Sequence, residues 1–449
     1  MASGTSKITA ISVFLISFAA FFTGFLFNAF KVLEDGKYLD QQGESLVIGR
    51  MVKSRTDGIF SSGGLCGRCA EKSSEVHIFD YQYVAYLEEI PCISYQPYLS
   101  QIGFHAAVYS FFDKISPFAP GTNLRLLRAF KSGTLAMVMS LVVLWFLLES
   151  GLISAIFVAL GILLTPWFTF LGKDLWFCIW TNFLPFMLAL HLLRKEHLRQ
   201  RPSGFIILLM TNLTILVNFI FNGYEWVSTT LIMATIPFFY YWRKAEWPWR
   251  KLAGRLSWLA AGSLASIAIT FSILIYQISL VKGKFSDGID WIIFSFLKRS
   301  HGDPDALPEV YAKQVDHPIW EVFLRYFSGT AFRFPAFITG VMPWFLDRVF
   351  FAELFLLFLA TSILVHHKKN PLKIHPARIT MLADLSVAAW ISLLAPFSWY
   401  VIFKGHAWSH YHINYITWFM PYCLFGLALV GATIASMVEG RRKKENFSR

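Results

Sequence analysis

Apolar residues occur along this chain in long runs that are separated by shorter polar stretches. The runs that approach spanning length cover residues 8–30, 133–148, 151–169, 175–193, 204–222, 226–242, 256–280, 349–366, 379–402 and 413–437. A helix needs roughly 20 mostly apolar residues to cross a bilayer. The pattern therefore predicts an all-α polytopic membrane protein with about ten transmembrane helices.

Two of the polar stretches, residues 31–132 and 281–348, are much longer than the others. They divide the chain into three parts. Residues 1–280 form an N-terminal transmembrane module whose long first loop carries juxtamembrane helices, residues 281–348 form a second loop, and residues 349–449 form the C-terminal transmembrane helices. Within the second loop, the stretch Phe285–Leu297 is predicted to form an amphipathic helix that lies flat on the membrane interface.

The distribution of Lys and Arg among the short connections predicts the orientation. With the N-terminus in the cytoplasm, the short cytoplasmic segments hold 19 Lys and Arg residues and the short outer ones hold 2. Cytoplasmic loops carry such an excess. Both termini are therefore expected in the cytoplasm and both long loops on the outer face of a plasma membrane, or a bacterial inner membrane.

The composition excludes several other classes of protein. Hydrophobic residues make up 55% of the chain and charged ones 15%, against roughly 25% charged in a soluble domain. An ordinary soluble enzyme, a disordered chain and a secreted disulfide scaffold do not fit. The net charge of +12 lies mostly in the cytoplasmic segments, so no nucleic-acid partner is expected.

The start of the first loop carries carboxylates that could take a proton from an acceptor. Asp40 and Glu44 are four residues apart, on one face of a predicted helix that ends at Gly58. Their place just after the first span suits a general base acting on an acceptor hydroxyl or amine. Asp35, beside Glu34, is the reserve. The alternative is that these are solvated charges on a surface helix.

A short outer loop near the C-terminus concentrates one cation and three histidines: Lys404, His406, His410 and His412. Such a group can hold a phosphate through charge-assisted hydrogen bonds. His406 and His410 also have the spacing of metal ligands, so a divalent metal is compatible with the loop, although no acidic residue of the loop completes a ligand set. A third interpretation is an interfacial loop anchored by Trp408 and Tyr411.

Weaker candidates for substrate binding lie in two other outer turns. One contains Lys173 and Asp174, and the other contains Tyr224 and Glu225. Cysteine chemistry is confined to the first loop, where Cys66 and Cys69 form a C-x-x-C that could close a small disulfide, pair with Cys92, or hold zinc with few further ligands at hand.

The organisation resembles the GT-C superfamily of polytopic glycosyltransferases, which includes protein O-mannosyltransferases and aminoarabinose transferases. The first-loop pattern of that family is an Asp-Glu pair followed by a helix, and residues 40–51 are similar to it except that Gln41 replaces the second acid. Thr165-Pro-Trp167, leading to Leu171-Gly-Lys173-Asp174, is similar to the outer turn before the family's fourth span.

The resemblance implies an inverting transfer of a sugar from a polyprenyl-phosphate donor to a lipid, glycan or protein acceptor on the outer face. A carboxylate would act as base, and cationic side chains would stabilise the departing lipid phosphate. The alternatives are a transporter or flippase and a polymerase or ligase of lipid-linked glycans. Few ionisable residues lie in the spans, which disfavours transport.

Overall fold

The computed structural model describes residues 6–33, 41–70, 77–200, 202–334, 347–367, 372 and 374–447. In chain order the helices are α1 (Lys7–Phe27), α2 (Gln41–Asp57), α3 (Ile78–Leu87), α4 (Phe104–Ile115), α5 (Pro120–Ser150), α6 (Leu152–Leu164), α7 (Pro166–Gly172), α8 (Ile179–His197), α9 (Gly204–Asn222), α10 (Val227–Lys244), α11 (Trp249–Lys282), α12 (Phe285–Leu297), α13 (Glu309–Val315), α14 (Ile319–Phe327), α15 (Phe351–His366), α16 (Pro376–Ser392), α17 (Leu394–Ile402), α18 (Lys404–Ser409), α19 (Tyr411–Asn414) and α20 (Tyr422–Phe447). The predicted all-α class is confirmed.

Short strands complete the described structure. They are β1 (Gly67–Ala70), β2 (Ser94–Pro97), β3 (Thr330–Arg333) and β4 (Arg348–Phe350). β1 pairs antiparallel with β2, and β3 pairs antiparallel with β4. Each ribbon lies within, or at the edge of, one of the two long loops.

Six helical segments in the described part of the chain are long and apolar enough to cross a membrane: α1, α5, α9, α11, α16 together with α17, and α20. The pair α6 and α7, bent by 62° at its break, makes a seventh if it is one span. The prediction of ten spans is therefore not confirmed. Three of the predicted spans fall short of this criterion. α8 and α10 end in charged residues that lower their mean hydropathy or add charge, and α15 has only 16 residues.

The apolar faces of these helices meet in one extensive core. α1 packs against α5, α8 against α9, and α20 against α6 and α16. The contact between α6 and α20 is close because Gly161 has no side chain, and a Cβ at that position would collide with Leu427. Large aromatic residues fill the core, among them Trp145, Trp226, Trp399 and Trp418.

The first loop folds on a core of its own. α2 packs against α3, α4 and β1, and buries Val47, Ile48 and Met51. The helix that the sequence predicted before Gly58 is thus confirmed. A disulfide joins Cys69 to Cys92, whereas Cys66 is a buried free thiol, so the pairing with Cys92 is the one that forms.

The second loop begins with α12, which has the bounds that the sequence predicted and packs against α11. It contacts the first loop through Trp291, whose Nε1 donates a hydrogen bond to the carbonyl of Leu99 at 3.0 Å. It contacts the C-terminal segment through the backbone N–H of His406, which donates to the carbonyl of Arg299 at 3.0 Å. Both long loops and the turns beside them therefore meet at one end of the bundle, which we call the loop side (described residues within 28–119, 166–178, 223–226, 283–350 and 403–421).

Candidate functional site

A tight turn on the loop side presents Glu225 between α9 and α10. Gly223 has a φ of +63°, and a Cβ there would lie 2.8 Å from the Cβ of Gln101, so the turn requires glycine. Trp226, which directly follows Glu225, is buried and donates its indole N–H to Asn414 Oδ1 at 2.6 Å. The turn is thereby fixed to the C-terminal segment, and the position of Glu225 is fixed with it.

Glu225 lies on the wall of a cavity of 460 Å³. Most of its lining is apolar and comes from α11, α12 and the end of α17, for example Phe271, Leu274, Ile292, Phe296 and Trp399. Cavities of this kind, apolar with a few polar groups, are typical of small-molecule sites. Segments from five parts of the chain contribute: residues 98–101, 176, 222–227, 267–299 and 399–403.

The charged residues in the cavity lining are Glu225 and Arg299. Arg299 follows α12, donates from Nη1 to the carbonyl of Ser295 at 3.1 Å, and lies 3.4 Å from the Tyr98 hydroxyl through Nη2. Glu225 Oε1 is buried and has no hydrogen-bond partner among the described residues. Burial raises the pKa of Glu225 to about 7, and the opposing effect of Arg299 is smaller.

His406 lies behind Glu225, with Nε2 at 3.6 Å from Oε1 of the carboxyl. The protonation of its ring follows from its neighbours. Because the Trp226 indole only donates, Asn414 must turn its Oδ1 to Trp226 and its Nδ2 to His406 Nδ1, 3.4 Å away. Nδ1 therefore accepts, and the His406 proton lies on Nε2, facing Glu225.

The predicted histidine cluster is assembled in part. The rings of His406 and His410 stack 4.4 Å apart, and the ring of the exposed His412 lies 6.1 Å from that of His410. Burial lowers the pKa of His406 well below its ordinary value and that of His410 to about 4. Both rings are therefore neutral at pH 7. Lys404 is half-buried and is not part of the cavity lining.

A second group of charges lies under the first loop. Glu44 is fully buried and accepts two hydrogen bonds from Arg128, from Nε at 2.9 Å and Nη2 at 2.6 Å. Lys131 is also buried and donates to the carbonyl of Leu171 at 2.8 Å. Asp174 is buried beside it and accepts from the backbone N–H of Trp176 at 2.7 Å.

The other predicted site residues fall in different surroundings. Asp35 and Asp40 lie outside the described residues, so their assignment stays a prediction. Lys173 is half-buried next to Asp174, and burial lowers its pKa. The ring of Tyr224 lines the cavity, and its hydroxyl donates to Thr270 Oγ1 at 2.9 Å. Tyr224 and Glu225 are therefore the predicted substrate-binding residues that share the cavity.

No cluster of three or more His, Cys, Asp or Glu residues suited to a metal ion occurs in the parts of the chain that the structure describes. The comparisons with known proteins give no family either: no family model, no curated protein and no solved structure matches the chain.

Arg299 and Phe271 line the site but were not among the predicted site residues. The signal for Arg299 was its place two residues after the amphipathic stretch Phe285–Leu297, which sets a cation at the interface. Phe271 gives no such signal, because it reads as an ordinary apolar residue of a span.

Proposed function

We propose that this protein is a membrane glycosyltransferase that moves a sugar from a polyprenyl-phosphate donor to an acceptor. The observation that carries the proposal is the apolar cavity on the loop side, with Arg299 and Glu225 on its wall. An amphiphilic donor needs an apolar channel for its chain beside polar groups for its head, and this cavity combines the two.

The position of the cavity supports a substrate that reaches it from the lipid. α11 forms one wall, and only 22% of its span is buried inside the protein, so most of that helix faces the surroundings. Leu264 and Tyr276 of α11, for example, are 67% and 60% exposed. A prenyl chain in the bilayer would thus pass along α11 toward Phe271 and Leu274.

The polar end of the cavity supports binding of a phosphate-linked head. Arg299 offers a guanidinium that remains charged and can form paired hydrogen bonds with phosphate oxygens. Lys298, beside it, packs over the rings of Trp291, Phe294 and Tyr311. The neutral histidines stand behind Glu225, and we assign them and Lys404 to the rim of the phosphate site. As the bond to the sugar breaks, these groups would stabilise the leaving phosphate.

The remaining parts of the proposal rest on the sequence. Asp40 would take the proton of the acceptor, which would be a membrane lipid, a glycan or a protein. The disulfide between Cys69 and Cys92 supports an outer location of the loop side, since disulfides persist in oxidising compartments. The termini would then lie in the cytoplasm.

The test uses the purified protein in lipid nanodiscs, with polyprenyl-phosphate mannose, glucose or aminoarabinose and an extract of membrane acceptors. We expect release of polyprenyl phosphate together with a glycosylated acceptor, both measured by mass spectrometry. Phe271→Trp should fill the cavity and lower the rate at least tenfold. Leu264→Trp is the matched control, because it adds the same ring to the exposed face of α11.

Two results would contradict the proposal. The first is the absence of released polyprenyl phosphate with every donor. The second is movement of an intact lipid-linked sugar across vesicles that contain the protein, with no bond broken, which is the behaviour of a flippase.

A further inference from the structure

The charge balance of the cavity depends on whether Glu225 is protonated. Among the residues that line the cavity, one carries a permanent positive charge, Arg299, and one carries a carboxyl group, Glu225. A phosphodiester adds one negative charge. With Glu225 ionised, the cavity would then hold two negative charges against one positive charge, in apolar surroundings where unpaired charge is costly.

Protonation of Glu225 removes this imbalance and supplies a hydrogen-bond donor. The buried Oε1 has no hydrogen-bond partner among the described residues, and Nε2 of His406 lies 3.6 Å away, beyond hydrogen-bond distance. A carboxylic acid would need no such donor and would itself offer an O–H to a ligand. The half-buried Glu225 side chain, 21% exposed, opens to the cavity, so a bound head group is within its reach.

We propose that Glu225 binds the phosphate-linked head group as a neutral carboxylic acid, donating its O–H to the ligand while Arg299 supplies the compensating charge. Donor binding is then accompanied by uptake of a proton from solvent at neutral and alkaline pH. This inference rests on the proposed function, because it takes the ligand of the cavity to be an anionic lipid.

The other titratable or charged groups around Glu225 do not supply this proton balance. They are Arg299 after α12, His406 in α18, Tyr326 in α14 and Tyr98 after β2. Arg299 stays charged throughout the range of interest. Burial keeps His406 neutral and raises the pKa of Tyr326 far above neutrality. In contrast to Arg299, His406 and Tyr326, Glu225, whose pKa is raised to about 7, changes charge between pH 6 and 8.

Lys298 also lies near this end of the cavity, and burial lowers its pKa to about 8. A bound anion would favour its charged form, so Lys298 can also take up a proton, at higher pH. Lys298→Met separates the two contributions, because it removes the amine and keeps an apolar side chain over the neighbouring rings.

The experiment measures proton uptake by calorimetry at pH 7.5 in two buffers with different ionisation enthalpies. The probe is methyl farnesyl phosphate, a phosphodiester whose single charge does not change between pH 5 and 9. For Lys298→Met we expect uptake of about 0.8 proton per ligand, from the ionised fraction of Glu225, and an affinity that falls up to tenfold per pH unit above pH 7. Glu225→Gln in the same background should take up no proton and should bind with the same affinity at pH 6 and pH 8.

Glu321→Gln is the matched control, because Glu321 is a loop-side carboxyl that is paired with His317 outside the cavity. It should leave the proton uptake unchanged. Uptake that persists in Glu225→Gln, or that is absent when Glu225 is present, would overturn the role of Glu225 and leave a lipid cavity in place. Absence of binding at pH 6 and pH 8 alike would overturn both this inference and the proposed function.

Discussion

Glu44 of α2 and Arg128 of α5 form an ion pair that joins the first loop to the helical bundle. The Glu44 side chain is fully buried, and that of Arg128 is 20% exposed. Burial raises the pKa of Glu44, and Arg128 opposes this by attraction and hydrogen bonding. Glu44 is thus held by a cation, which favours a role in positioning α2 rather than in proton transfer.

We expect Arg128→Met to destabilise the protein by about 3–5 kcal/mol, because it leaves the Glu44 carboxyl buried without its partner. The free energy of unfolding is measured by chemical denaturation in mixed micelles. Lys313→Met is the control, since it breaks an ion pair with Glu309 that is open to solvent. The side chain of Lys313 is 75% exposed and that of Glu309 is 81% exposed. That pair should contribute little. Equal stability of the Arg128 variant and the wild type would show that the buried pair does not hold the loop.

Asp40 remains the predicted base, and its substitution separates it from Asp35. Asp40→Asn keeps the size of the side chain and removes the proton acceptor, so we expect the transfer rate to fall about 10²–10⁴-fold with little change in stability. Asp35→Asn is measured in parallel and should retain most of the rate. The reverse order of the two rates would move the assignment to Asp35.

The disulfide between Cys69 and Cys92 closes a segment of 23 residues within the first loop. A crosslink of this length stabilises a fold by about 3 kcal/mol, mainly by restricting the unfolded chain. We therefore expect Cys92→Ser, or reductant, to lower the free energy of unfolding by that order. Reductant should have no further effect on a variant that lacks both cysteines; an effect there would assign the loss to another group.

The orientation can be tested with single cysteines on the exposed surface. Phe60 and Val310 are 68% and 70% exposed in the first and second loops. Phe60→Cys and Val310→Cys should react with an impermeant maleimide in intact cells. Lys251→Cys, in the first turn of α11 at the other end of the bundle, should react only after the membrane is opened. Labelling of all three in the opposite order would invert the predicted topology.

The sequence predicted local elements well because their periodicity is set by neighbouring residues. α9 and α12 have the bounds that the hydrophobic pattern predicted, and α2 lies where helical spacing placed it. The number of spans was predicted less well. α8 and α10 end in charged residues and α15 has 16 residues, so these helices lack the length or the hydropathy of a span although they lie within apolar runs of the sequence.

The site could be predicted only in part, because it is assembled from distant segments. Glu225 and Arg299 are separated by 74 positions, and no spacing pattern in the sequence indicates that the two residues share a site. The sequence singled out Glu225 as a residue of an outer turn, whereas Arg299 was not among the predicted site residues. Their common cavity depends on the packing of α11 against α12, which is a property of the tertiary structure.

The raised pKa of Glu225 also predicts how stability depends on pH. The value rises from 4.5 for the free side chain to about 7 in the folded protein, so the folded state holds the proton more tightly than the unfolded state. The resulting stabilisation is fully present below pH 4.5 and is lost as the pH rises through about 7. The contribution of His410 to stability has the opposite pH dependence, because its pKa is lowered to about 4 and its contribution is lost as the pH falls.

The test of the Glu225 contribution therefore compares the wild type with Glu225→Gln. The unfolding temperatures of both are measured at pH 5, 6, 7 and 8. We expect the wild type to lose several degrees relative to the variant between pH 5 and pH 8, with most of the loss below pH 7 and little further change above pH 8. A difference that is the same at all four values would show that Glu225 titrates alike in the folded and unfolded protein.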